Sequence, residues 1–260
     1  MSLQETGLFG IRDKVQMAID RIQAFEPPEG YYVAFSGGKD SVVILDLVKR
    51  SGVKFDAHYN ITGIDPPELF YFIRDKHPEV QRHRPEMTIW ALIVKKRMPP
   101  TRRVRYCCEY LKERGGAGRR IITGIRWAES ARRGKRRMNE TCFKDVRRSY
   151  LHPIIDWVES DVWDYIRAEK LPYCSLYDEG FKRLGCILCP MNTKRQHEAD
   201  RWPRYYQQYV RAFDACIKKR NADGLTTKGP RKWGTGEEMM AWWLDDSRHK
   251  QDPDQTVLFE

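Results

Sequence analysis

The sequence predicts an α/β fold, a mostly parallel sheet covered by helices on both faces, with a helical C-terminal extension. Three observations carry this expectation. β-prone runs alternate with helix-patterned runs through the first two thirds of the chain. Glycine turns follow β-prone runs after Phe35, Ile61 and Ile122. The last third is mostly helical in pattern. Strands joined through helices run parallel, and ligands of such sheets bind beyond the carboxyl ends of the strands, so the three turns are expected around one site. The expected boundaries are a domain over 1–192 and an extension over 193–260.

In chain order, Ile11, Val15, Ala18, Ile19 and Ile22 have helical spacing and predict a helix over 11–24, ended by Pro27, Pro28 and Gly30. Tyr31 to Phe35 is a short strand, and the run from Ser41 to Val48 is a helix. A strand is expected over 55–61, a helix over 68–77 and a third strand over 88–94. Tyr106 to Arg114 reads as a helix stopped by Gly115 and Gly116, and strands are expected over 120–125 and 151–155. Ser160 is the expected N-cap of a helix running to Lys170, before Pro172. Helices over 197–220 and 236–245 complete the pattern, which contains no internal repeat.

The 260 residues are 32% charged and 41% hydrophobic, and with eight Trp and 13 Tyr they describe a folded globular chain. No apolar run approaches the roughly 18 residues of a membrane span. Residues 1–6 lack a basic-then-apolar pattern. The expected compartment is therefore the cytoplasm, with no membrane partner. Net charge is +11, and from Lys95 to Arg148 about 19 Lys or Arg face about 5 Asp or Glu. That balance suits nucleotides or nucleic acid, and equally a solvated basic loop, because no base-stacking or groove-reading motif is visible. Seven cysteines, an odd number in a reducing compartment, argue for metal or redox chemistry over a disulfide framework.

Ser36-Gly37-Gly38-Lys39-Asp40-Ser41 lies between a predicted strand and a predicted helix. Glycine lets the backbone approach a ligand, and the freed N–H groups with the helix N-terminus favour an anion. Ser36 and Ser41 add hydroxyls and Lys39 adds charge. Asp40 is placed to cap the helix or help hold a metal ion. The spacing matches neither the Walker nor the Rossmann pattern.

This segment resembles the PP-loop of the adenine nucleotide α-hydrolase superfamily. Thr62-Gly63-Ile64-Asp65-Pro66-Pro67-Glu68 and Thr123-Gly124-Ile125-Arg126-Trp127-Ala128-Glu129-Ser130 resemble segments of its phosphoadenosine phosphosulfate (PAPS) reductase branch. So do His152 to Trp157, Asp161 to Trp163 and Leu176 to Gly180, and the resemblance spans about residues 30 to 190. It implies nucleotide binding by Ser36, Gly37, Gly38, Lys39, Asp40, Ser41, Thr62, Gly63, Gly124, Arg126 and Ser130. The expected catalytic residues are Lys39, Asp40 and Arg126, with Arg126 facing the anionic part of the nucleotide. Asp156 and Trp157 read as packing and orienting residues, and Asp161 as an acid at a helix N-terminus.

Cys107-Cys108 and Cys186-Ile187-Leu188-Cys189 form the second signal. Adjacent Cα atoms about 3.8 Å apart suit a disulfide poorly, whereas neighbouring thiolates can ligate different irons of a [4Fe–4S] cluster. Structural zinc and no metal at all are the alternatives. Cys-Cys, a long gap and Cys-x-x-Cys also resemble the cluster motif of iron–sulfur sulfonucleotide reductases. Those reductases carry a nucleophilic cysteine in a C-terminal segment, and no cysteine follows Cys216 here. Cys142, Cys174 and Cys216 have no partner spacing.

Three functions follow. The first is ATP pyrophosphatase chemistry in sulfur transfer, resembling the DNA phosphorothioation subunit and cluster-bearing tRNA thiolases. It would use ATP and Mg²⁺, an acceptor that is DNA, tRNA or a small molecule, and a sulfur donor protein. The second is reduction of PAPS or adenylyl sulfate (APS) to sulfite with a thiol reductant. The third is a non-catalytic nucleotide-binding or cluster-sensing protein.

Overall fold

The computed structural model describes residues 3–7, 10–142, 147–225 and 233–245. The terminal run from Asp252 to Glu260 lies outside them, as do residues 143–146 of the basic stretch. The chain forms two compact units, each assembled from separate stretches: Met1–Ile61, Asp65–Arg84 and Arg114–Gly185 in the first, Thr62–Ile64, Pro85–Glu113 and Cys186–Glu260 in the second.

The first unit opens with the hairpin β1 (Gln4–Gly7) and β2 (Gly10–Asp13), whose end caps α1 (Lys14–Ala24): the Asp13 carboxylate accepts from the amides of Val15 and Gln16. Then come β3 (Tyr31–Ala34), α2 (Lys39–Ser51), β4 (Phe55–Asn60), α3 (Pro67–Lys76) and β5 (Gln81–His83). In the second unit, α4 (Ile89–Lys96) and α5 (Tyr106–Leu111) follow. The chain returns to the first unit with β6 (Arg120–Ile122), the short α6 (Ala131–Gly134), β7 (Asn139–Thr141), β8 (Ser149–Leu151) and α7 (Glu159–Ala168). The last helices, α8 (Arg195–Arg201), α9 (Pro203–Ala222) and α10 (Gly236–Leu244), belong to the second unit.

One six-stranded sheet, in the order β5-β4-β3-β6-β8-β7, forms the centre of the first unit. All its pairings are parallel except β7 with β8. The order is the predicted α/β architecture, and it sets the carboxyl ends of β4, β3 and β6 side by side at one edge. The central strand β3 is buried through Tyr31, Tyr32 and Val33, and α2 packs on it through a nearly unbroken apolar face from Val42 to Val48. Burying that face is the main force holding the loop between them in place.

Several expectations need correction. Residues 11–13 belong to β2 rather than to the opening helix, and β8 ends at Leu151 instead of running to Ile155. Residues 88–94 form a helix, not a strand: Thr88 caps it by accepting from the Ala91 amide, and Ile89, Leu92 and Ile93 are buried at helical spacing. The strand in this part of the chain is β5, three exposed polar residues. The helix expected to be capped by Ser160 begins two residues earlier, after Val158, whose amide donates to Asp161 Oδ2 at 2.8 Å. Asp161 thus stands at the helix start as expected, and also receives the Lys14 ammonium at 2.7 Å.

The second unit packs α4, α8 and α10 against α9 around an aromatic core. Trp90, Phe213 and Trp243 surround the fully buried Tyr209. The buried Arg195 guanidinium donates to the carbonyl of Trp243. Among the described residues no helix is long and apolar enough to cross a membrane.

Candidate functional site

Where β3 ends, the chain turns through Ser36, Gly37 and Gly38 into the first turn of α2. Gly37 has φ +72°, and a Cβ there would stand 2.7 Å from side-chain carbons of Leu69 and Ile73 in α3, so both its conformation and its surroundings require glycine. Ser41 folds back on the turn: its hydroxyl donates to the Gly38 carbonyl at 2.8 Å and accepts from the Ser36 amide at 3.3 Å. The Lys39 amide, at the first position of α2, donates to the Tyr177 hydroxyl at 2.9 Å. Burial pushes the Tyr177 phenol above its ordinary range, so it stays protonated.

The loop forms one wall of a cavity of about 400 Å³, a size within the usual range of small-ligand sites. The other wall is the exit of β6, from Thr123 to Arg126. The two walls meet closely at Gly124, where a Cβ would lie 2.8 Å from the Asp40 carbonyl oxygen. That approach lets Arg126, only 3% exposed, donate through Nε to Asp40 Oδ1 at 2.6 Å. The Arg126 amide donates to Glu129 Oε2 at 3.0 Å. Lys39 is 5% exposed; its ammonium donates to the Lys182 carbonyl at 3.1 Å and lies 3.7 Å from Glu159 and 3.9 Å from Asp40. Five basic residues (Lys39, Arg126, Arg133, Lys182 and Arg183) line the cavity against three acidic ones (Asp40, Glu129 and Glu159). The excess of positive charge, next to a helix N-terminus, suits an anionic ligand.

Of the residues expected from sequence, Ser36, Gly38, Lys39, Asp40, Ser41, Gly124 and Arg126 line this cavity. Gly37 shapes the turn behind it. Ser130 is exposed and caps α6, its hydroxyl accepting from the Arg133 amide at 3.3 Å. Thr62 and Gly63 belong to the second unit, where the buried Thr62 hydroxyl accepts from the Ile64 amide and lies 3.7 Å from Cys186 Sγ. Sequence reasoning did not single out Tyr177, Glu159 and Lys182 individually. Only the Leu176 to Gly180 segment hinted at the first.

Asp156 and Trp157 support the site from behind. Asp156 receives the Arg21 guanidinium through both oxygens at 2.8 Å, and the buried Trp157 offers its carbonyl to Arg126 at 3.5 Å.

All four cysteines of the expected metal set lie in the second unit, half-buried and free of disulfides. Cys107 raises no thiolate easily: hydrogen bonding to Cys108, burial and the neighbouring Cys186 and Cys189 all push its thiol up. Cys108 moves the other way, its thiolate favoured by the Cys107 thiol and by the Arg105 guanidinium, which donates to Cys108 Sγ at 3.1 Å. Cys107 thus feels the charge of the other three sulfurs. Among the described residues no three His, Cys, Asp or Glu side chains are arranged to hold a single metal ion. A cluster differs from an ion, since each thiolate attaches to its own iron.

Residues 30–192 match the family model described as the phosphoadenosine phosphosulfate reductase domain. The chain belongs to this family of enzymes. An uncharacterized protein of Methanocaldococcus jannaschii is 31% identical over 77% of this PAPS reductase-family chain and 45% of its own length. The chain spans about half the length of each of the two M. jannaschii relatives it matches. The adenosine 5'-phosphosulfate reductase of Oceanobacillus iheyensis is 27% identical, covering 65% of this chain and 75% of its own. The crystal structure of PAPS reductase from Candida auris aligns at TM-score 0.50 and 18% identity over 65% of this chain and 87% of that one, a likeness of fold.

Proposed function

We propose that this family member is an ATP pyrophosphatase working in sulfur transfer. It adenylates a nucleic-acid or small acceptor and releases pyrophosphate, and sulfur then replaces the adenylate. The observation that carries this reading is the convergence of the PP-loop, Lys39 and the Asp40-held Arg126 on one cavity. The loop amides and the helix N-terminus receive phosphate oxygens. Lys39 and Arg126 neutralise the charge that gathers on the departing pyrophosphate, and because Asp40 and Glu159 already hold them, little reorganisation is needed. Mg²⁺ arriving with the nucleotide finds carboxylates in Asp40 and Glu159. The nucleotide-binding domain in this reading covers 1–192, with 193–260 as its extension.

Cys107, Cys108, Cys186 and Cys189 suit a [4Fe–4S] cluster by their number and softness. When bound, it would help orient or activate a sulfur species delivered by a donor protein or thiol. Arg105 balances the charge of these thiolates.

Reduction of PAPS or APS to sulfite is the second reading, favoured by the family match and the reductase relatives. Two observations weigh against it: Cys174 and Cys216 are buried, and burial pushes the Cys216 thiol up to about 11, so neither offers a ready thiolate. Assay of the anaerobically purified protein separates the readings. Pyrophosphate release from ATP, abolished by Ser36→Ala or Asp40→Ala, supports the first. Sulfite release from a sulfonucleotide with a thiol reductant supports the second, and nucleotide retention with neither product leaves a binding or sensing protein.

A further inference from the structure

Beside the cavity, the chain carries an aromatic and basic surface that the nucleotide chemistry does not use. Trp127 lies between Arg126 and Ala128, both of which line the cavity. Its amide donates to the Ile155 carbonyl at 2.8 Å and its indole Nε1–H to the Arg136 carbonyl at 2.7 Å. Backbone and indole are therefore each held by a hydrogen bond, yet the residue remains 45% exposed. From Trp127 to Arg137 there are five Lys or Arg and one Glu. Arg133 pairs with Glu129 and Arg136 with Glu140, while Arg132, Lys135 and Arg137 are exposed and add positive charge to the outer face. Arg133, in α6 with Arg132, also lines the cavity.

We propose that this surface docks a single-stranded nucleic acid, with a base stacked on Trp127 and phosphates held by Arg132, Lys135 and Arg137. The proposal rests on the reading of the protein as an acceptor-activating enzyme and names the acceptor's class. A rigid exposed ring flanked by cations is the arrangement that binds unpaired bases and their backbone. Duplex DNA hides its base faces, and a helix as short as α6 offers little to a major groove. Because α6 contributes to both surfaces, a strand laid along it passes the mouth of the cavity where the nucleotide would be activated.

The test is fluorescence anisotropy of the full chain with labelled single-stranded DNA and RNA of roughly 12 nucleotides, a length within known site sizes. Trp127→Ala weakens binding by about tenfold or more, while Trp127→Phe, which keeps a stacking ring, retains most of it. The combined Arg132→Glu, Lys135→Glu and Arg137→Glu variant lowers the slope of log affinity against log salt by about 2, near 0.7 for each lost phosphate contact, with ATP binding unchanged. Three results overturn the proposal: undiminished binding by Trp127→Ala, tighter binding of duplex than of single strand, or equal binding of polyglutamate. Pyrophosphate release is measured separately. An enzyme that binds the oligonucleotide as described but releases no pyrophosphate defeats the catalytic reading alone, and the converse defeats the docking surface alone.

Discussion

Gly124→Ala probes the contact on which the site depends. An added Cβ would lie 2.8 Å from both the Cβ and the carbonyl oxygen of Asp40 and 2.9 Å from its carbonyl carbon. Two of these are backbone atoms in the first turn of α2, so no rotamer change relieves the clash. Carbon atoms pack comfortably at about 3.5 Å, so the exit of β6 and the start of α2 must part by roughly 0.7 Å. Overpacking of this kind costs about 1–3 kcal/mol, which in a chain of this size lowers Tm by roughly 2–12 °C. The same displacement pulls Asp40 from Arg126, now 2.6 Å away. Misplacing a charge-stabilising group by about 1 Å reduces turnover on the order of 100-fold. Differential scanning fluorimetry and a pyrophosphate-release assay read the two effects. Gly134→Ala is the stability control, because its Cβ would meet nothing closer than the Trp127 carbonyl at 3.9 Å, and its Tm does not fall. A Gly124→Ala protein with the wild-type Tm and turnover refutes the claim that close approach at this point organises the site.

Other predictions concern neighbouring groups. Tyr177→Phe removes the acceptor of the Lys39 amide and lowers stability by about 0.5–1.5 kcal/mol in urea unfolding of the nucleotide-free protein. His152, fully buried and paired with the Thr123 hydroxyl, has its pKa lowered to about 4 by burial, aided by the charges of Arg136 and Arg133. The unfolded chain then binds the extra proton first, so this contribution to stability is complete above about pH 6.5 and is lost as pH falls towards 4. His152→Asn shows a flatter stability profile between those limits. Anaerobic protein is brown with about four irons per chain, and Cys186→Ala or Cys189→Ala loses the colour; a colourless, zinc-loaded wild type overturns the cluster proposal.

The sequence exposed the parts of the site that are local. A buried strand, a glycine turn and an amphipathic helix are contiguous from Tyr31 to Ser51, so one window of sequence contains the cause of the loop's shape. Arg126 could be read because it follows a glycine-ended strand. Tyr177 could not be assigned in the same way: its hydroxyl meets the Lys39 amide across 138 positions of sequence, a contact that only the folded sheet creates. Residues 88–94 misled because a short apolar run of Ile, Trp, Leu and Val suits strand and helix alike, and the Thr88 cap decides the matter. β5 went unseen because Gln81, Arg82 and His83 are all exposed and show no alternation. The exposed ring of Trp127 gave no signal in sequence, since its exposure depends on how the turn after α6 folds against it.

The central claim is that the loop from Ser36 to Ser41 presents an adenine nucleotide for α-phosphate chemistry. Anaerobically purified protein incubated in turn with ATP and with a sulfonucleotide plus thiol reductant tests it most directly. Pyrophosphate from ATP, lost with Asp40→Ala, together with no sulfite from the sulfonucleotide, is the predicted result. Sulfite without pyrophosphate contradicts the claim and makes the protein a reductase.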